Sequence, residues 1–116
     1  VDYALLEKIM RNVQLGEIIA ERKFKSLDKF SQSQDIVLRV GKPQQLNVRR
    51  WVCPFQFTGI GTAEIIVGPS GVDSLHALVK VLGMAQVLLI RFAKDEQKTI
   101  TWLGKEELGF SMKVQP

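Results

Sequence analysis

One cysteine and one histidine in 116 residues set the first limits on what this chain does. A lone Cys53 forms no internal disulfide, and a thiolate metal site needs several sulfurs at close spacing. The balance points to a reducing compartment and to no metal. With a single His76, a multi-histidine metal site is excluded. The glycines make no phosphate loop: "GIG" at 59–61 lacks the later glycine of the dinucleotide fingerprint, and no Gly-Lys-Ser/Thr occurs. Acidic residues are single or sit in turns, as in "KDEQ" and "KEE", and form no carboxylate pair placed for hydrolysis. The expectation is no catalytic residue and no cofactor.

Long uninterrupted apolar runs are missing as well. The most hydrophobic stretch, "GVDSLHALVKVLGMAQVLLI" from Gly71 to Ile90, is broken by Asp73, His76, Lys80, Gly83 and Gln86. A bilayer crossing needs about 20 predominantly apolar residues with few or no charges. Asp73, His76, Lys80 and Gly83 recur in steps of three and four, as on the polar stripe of a soluble helix. The opening "VDYALLEKIMRN" lacks the basic start and long apolar run of a signal peptide. A cytoplasmic location and no membrane partner are expected.

What is present describes a globular domain. Hydrophobic residues make up 46% and charged residues 24%, ordinary proportions for one folded unit. The reading is a single α+β domain over 1–116, with an N-terminal helical extension at 1–15 and a core at 17–110. Leu5, Leu6, Ile9, Met10 and Val13 follow the spacing of an amphipathic helix, stopped by Gly16. From there to Gly68 the period changes to two. "EIIAERKFK" places Ile18, Ala20 and Phe24 on one face, with Arg22 as the exception. "DIVLRV" aligns Ile36, Leu38 and Val40, "VRRWVCPFQF" aligns Trp51, Cys53, Phe55 and Phe57, and "TAEIIV" closes the set.

These segments predict an antiparallel β-meander of about four strands packed by one long helix, with a C-terminal strand pair and an extra N-terminal helix. Ser70 and Asp73 both suit the N-cap of the long helix. That helix is expected to end near Gly83–Met84, where glycine weakens a helix by roughly 1 kcal/mol. A strand over Gln86–Phe92 would then pair with "TITWLG" across a "KDEQK" turn.

The net charge is +4, which favours anionic partners without specifying one. Lys23, Lys25, Arg39, Arg49 and Arg50 form a candidate basic surface, although the strands lack the paired outward aromatics of an RNA-recognition sheet. Asp73, His76 and Lys80 form a candidate polar helix stripe. Cys53, between Trp51 and Phe55, reads as a buried, inert thiol.

"WVCPFQFTGIG", "GVDSLHAL" and "ITWLGKEELGF" together resemble a family of small bacterial domains of unknown function. The resemblance covers about Glu17 to Phe110, with the helix before Gly16 outside it. It implies a bacterial, cytoplasmic protein, and it brings no activity, substrate or cofactor to transfer. His76 stands where that family often has Gln, so no shared role is carried to it. The matching positions read as a folding signature: Asp73 as cap, Trp51 and Trp102 as core, and Gly59, Gly61, Gly104 and Gly109 as turns. The expected function is a non-enzymatic protein-interaction module, with a protein partner or a homo-oligomer. Weak nucleic-acid binding by the basic set and a small enzyme on the polar stripe are the alternatives.

Overall fold

Alternation with period two becomes a five-stranded sheet. The computed structural model describes residues 14–61 and 66–110, and the expected N-terminal helix lies outside them, as do residues 62–65 of the fourth expected strand. In chain order the elements are β1 (Ile18–Leu27), β2 (Ser33–Gly41), β3 (Gln44–Asn47), β4 (Arg50–Val52), β5 (Phe55–Thr58), β6 (Ile66–Val67), β7 (Ser70–Gly71), α1 (Ser74–Asp95) and β8 (Thr99–Thr101). The architecture is α+β, with antiparallel sheets packed by one helix. The larger sheet has the order β6-β5-β2-β1-β8, and the smaller has β3-β4-β7.

The expected meander is β1, β2, β5 and β6, which lie side by side in chain order. Its third strand differs from expectation. "VRRWVCPFQF" is one run by parity, but Cys53–Pro54 interrupts it, and its first half becomes β4 of the second sheet. Proline has no N–H to give a ladder and is excluded from central strand positions. All four residues from Val52 to Phe55 are buried, because the chain passes here from one sheet to the other through the shared core.

The C-terminal strand pair is also corrected. α1 continues unbroken through Gln86–Phe92, and β8 pairs instead with β1, setting Lys25 against Thr101 and Leu27 against Thr99. Ala77, Val81, Ala85, Leu88 and Leu89 are buried at steps of three and four, so the apolar run past Gly83 has helical period. Gly83 is exposed, and a Cβ there would meet nothing outside its own helix backbone. It costs roughly 1 kcal/mol of propensity, less than the roughly 1.5–3 kcal/mol gained by fully burying one leucine. The N-cap is Asp73, whose Oδ1 accepts from His76 N at 2.7 Å, while Ser70 belongs to β7.

Arg22 explains its own exception to the alternation. It shares the inner face of β1 with Phe24 and Ser26, which are buried. Its Nη1 donates to the carbonyls of Leu108 and Gly109 at 2.9 and 2.8 Å. The guanidinium lies 3.9 Å from the centre of the Trp102 ring, and Phe110 stacks on Phe24 with centroids 5.8 Å apart. The C-terminal segment is thereby strapped across the inner face of β1. Gly109 allows this with φ +71°, and a Cβ there would overlap the Trp102 ring. Gly104 has φ +79° but open space around it.

Gly109→Ala is therefore expected to destabilise the domain by roughly 2–4 kcal/mol, combining left-handed strain with overpacking. Gly104→Ala should cost only about 1–2 kcal/mol, from strain alone. Urea melts of the two variants check the order; equal losses would mean that the strap does not pack as described.

Candidate functional site

Three sets of residues invite a functional reading: the basic residues, the polar stripe and the outer surface of α1. The outward positions of β1 and β2 alternate with Ile36, Leu38 and Val40 of the core, so Glu21, Lys23, Lys25, Asp35 and Arg39 share the uncovered sheet face. Register then decides the charge of that face. Lys25 stands opposite Asp35 and pairs with it, and Arg39 stands opposite Glu21 with Nε 3.3 Å from the carboxylate. Hydrogen bonding and charge from Lys25 hold the Asp35 carboxyl below its ordinary range. Arg39 also reaches Thr58 Oγ1 at 3.4 Å.

Lys23, Lys25 and Arg39 are thus together on a face of mixed sign. Arg49 and Arg50 are not with them: they are exposed at the β3–β4 turn of the smaller sheet, where Asn47 Oδ1 accepts from Arg49 N. The five residues form two separate groups. Among the described residues, no cluster of three or more His, Cys, Asp or Glu is placed to hold a metal ion.

The polar stripe is occupied with starting the helix. Asp73 takes the His76 N–H, and His76 Nδ1 accepts from Val72 N at 3.1 Å. Asp73 satisfies a backbone donor that the helix start leaves free, and His76 satisfies the N–H of the residue just ahead of the cap. Lys80 is exposed one turn further on.

Among the described residues, the stripe lines neither of two shallow grooves. One, of about 390 Å³, lies between α1 and the β1–β2 pair, walled by Ala20, Arg22, Leu38, Val40, Leu82 and Phe110. The other, of about 210 Å³, lies beside β8 between Leu89, Ile90, Ala93, Thr99, Ile100 and Leu108.

The outward side of α1 is the feature that residue-by-residue screening for chemistry missed. Val72 before the helix and Leu75, Val79, Leu82, Val87 and Ile90 on it are between 41% and 67% exposed. Lys80, Arg91 and Lys94 are exposed among them. The signal was present in the sequence: the apolar residues of 74–95 are too many for one buried stripe. By length and composition α1 could cross a membrane. Its buried row is packed in the core, however, and its flanking strands pair within this same fold, β7 with β4 and β8 with β1.

The family described as Domain of unknown function (DUF6968) matches residues 20–112. The chain belongs to that family. The matched interval takes in both sheets, α1 and the strap over Arg22, and it starts after Ile18 and Ile19 of β1. No curated protein matches the chain, and no solved structure does.

Cys53 is a buried thiol, as expected. It has no exposed surface, and its Sγ–H donates to the Gly41 carbonyl at 3.4 Å. Burial pushes its pKa from an ordinary 9.0 up to about 11. Below pH 9.0 the thiol is protonated in folded and unfolded chains alike. Between 9.0 and about 11 only the unfolded chain ionises, so stability is expected to fall as pH rises through that window. Urea melts across the window, set against Cys53→Ala, isolate this contribution; an identical pH slope in the variant would contradict it.

Proposed function

We propose that the domain is a non-enzymatic, cytoplasmic protein-interaction module that receives its partner on the outer surface of α1. The observation that carries this reading is the exposed apolar set Val72, Val79, Val87 and Ile90 with cations on its border at Lys80, Arg91 and Lys94. Large apolar side chains gathered on one exposed surface mark an interaction site more than scattered ones do. Complete burial is worth roughly 1.5–3 kcal/mol for each such side chain, so half-exposed ones retain part of that gain for association. The border charges and the net charge of +4 favour an apolar partner surface rimmed by Asp and Glu, because rim charges steer encounter and select partners.

A nucleic-acid partner has less support. Lys25 and Arg39 are engaged by carboxylates, and Arg49 and Arg50 lie on the other sheet. Stripe enzymology has less support too, since Asp73 and His76 are both bound to backbone donors.

A photo-crosslinking amino acid placed at Val79 in the native cells should give a discrete adduct with another protein, and the same probe at Lys23 should not. The partner, identified by mass and purified, should bind the intact domain and lose at least about tenfold in affinity to Ile90→Asp, a surface change with little effect on folding. Equal adducts from both positions, or affinity indifferent to Ile90→Asp, would refute the reading.

A further inference from the structure

The groove between α1 and the β1–β2 pair follows from the widths of the elements around it. Five strands spaced about 4.8 Å apart span roughly 19 Å, while a helix with its side chains is about 10–12 Å across. Among the described residues, α1 and the C-terminal strap therefore leave a strip of the larger sheet uncovered between them. Ala20, Leu38 and Val40 line it from the sheet, Leu82 from α1 and Phe110 from the strap. Its volume of about 390 Å³ lies at the lower end of the roughly 300–1,000 Å³ of small-molecule sites.

One cation shares this apolar lining. Arg22 lines the groove, and the strap uses only part of its guanidinium. Nη1 makes both bonds to the Leu108 and Gly109 carbonyls, and the central carbon lies 3.9 Å over the Trp102 ring. Among the described residues, the Nε and Nη2 hydrogens have no acceptor and no carboxylate is paired with this guanidinium. Glu21, the acidic residue beside the groove, is engaged by Arg39. Holding two carbonyls needs a single NH₂ group, so the charge and the second edge of Arg22 exceed what the strap requires.

We propose that this groove binds a small monocarboxylate with an aliphatic tail, the carboxylate held by the Nε–Nη2 edge of Arg22 and the tail lying on Ala20, Leu38, Val40 and Leu82. Complementary charge carries the choice of head group. A guanidinium edge presents two parallel N–H groups that match the two oxygens of a carboxylate, and such charge-assisted pairs are stronger than neutral hydrogen bonds. The strap already holds the fork in one orientation, so little side-chain freedom is lost when the ligand arrives.

The rest of the lining selects the tail. Methylenes leave water favourably for aliphatic surface, whereas a wholly polar anion would leave that surface unused. The modest volume limits the tail to a short or medium chain. Ligand binding here goes beyond the partner reading and is independent of it, because Val79, Val87 and Ile90 do not line this groove.

The test is an NMR titration of the isotope-labelled full chain with octanoate, and with octanol as an uncharged counterpart of the same tail length. Saturable shifts are expected at the amides of Ala20, Val40 and Gly109 and at the Arg22 Nε–H. Octanol should bind at least about tenfold more weakly, because it lacks the charged acceptor. Removing each methylene, as in hexanoate, should weaken binding by about two- to fourfold. Leu82→Glu, at a partly exposed position, should weaken octanoate binding at least about tenfold by repelling the carboxylate, and Val79→Glu should leave it unchanged. Equal affinity for octanoate and octanol would overturn the assignment to Arg22. Shifts centred on Val79 and Ile90, or none that saturate at millimolar octanoate, would overturn the site. The comparison of the two ligands needs no variant, so a folding defect in Leu82→Glu does not decide the outcome. None of these readouts involves a partner protein, so success or failure here is separable from that of the partner surface.

Discussion

A single described helix has to serve two sheets, and most of the structure follows from that constraint. The sheets share one core because the chain passes between them at Val52–Phe55, where every side chain is buried. The crossing is held at both ends by backbone bonds, with Cys53 N donating to Pro69 O at 3.1 Å and Gly41 N donating to Pro54 O at 2.7 Å. Polar backbone in a core must be paired in this way or cost stability. α1 then lies across the junction on a row rich in small residues, Ala77, Val81 and Ala85. Leu88 and Leu89 fill the end where β8 diverges toward the edge of β1.

The same constraint accounts for a cation on the inner face of a strand. Where α1 does not reach β1, the C-terminal segment returns over it and brings two carbonyls and two aromatic rings with it. Arg22 satisfies both carbonyls and lies over Trp102 and near Phe110. Hydrogen bonds from a charged group contribute roughly 1.5–3 kcal/mol each, and a partly desolvated cation–π contact about 0.5–2 kcal/mol. Those gains offset the desolvation of a half-buried guanidinium, and Arg can meet both demands because its planar fork donates in plane while its face stacks.

The sequence made the class of fold legible, along with the order of the four meander strands and the parity of their buried faces. Alternation at Ile36, Leu38 and Val40 and at Phe55 and Phe57 follows directly from strand geometry. Periodicity alone could not show which strand becomes whose neighbour. Arg39 is a surface cation by parity, but its pairing with Glu21 is a fact of register, and register depends on turns and on the sheet as a whole. For the same reason Arg50 and Arg39 looked equivalent and ended on different sheets. The helix over 86–92 was hidden by composition, since a short run of Val, Leu and Ile is ambiguous between buried strand and helix. The length of the buried row from Ala77 to Leu89 resolves it.

The packing of the described core does not account for the outward side chains of α1. Positions such as Val79 and Ile90 take no part in the buried row, so a polar residue there would leave packing intact and improve solubility. Apolar side chains at such positions have a physical rationale only if something covers them. Leu82 lines a groove whose other residues, Ala20, Leu38 and Val40 among them, belong to the same fold. Val79 and Val87 are turned away from the buried row, with no part of the described chain covering them, and it is there that the proposed partner would be received.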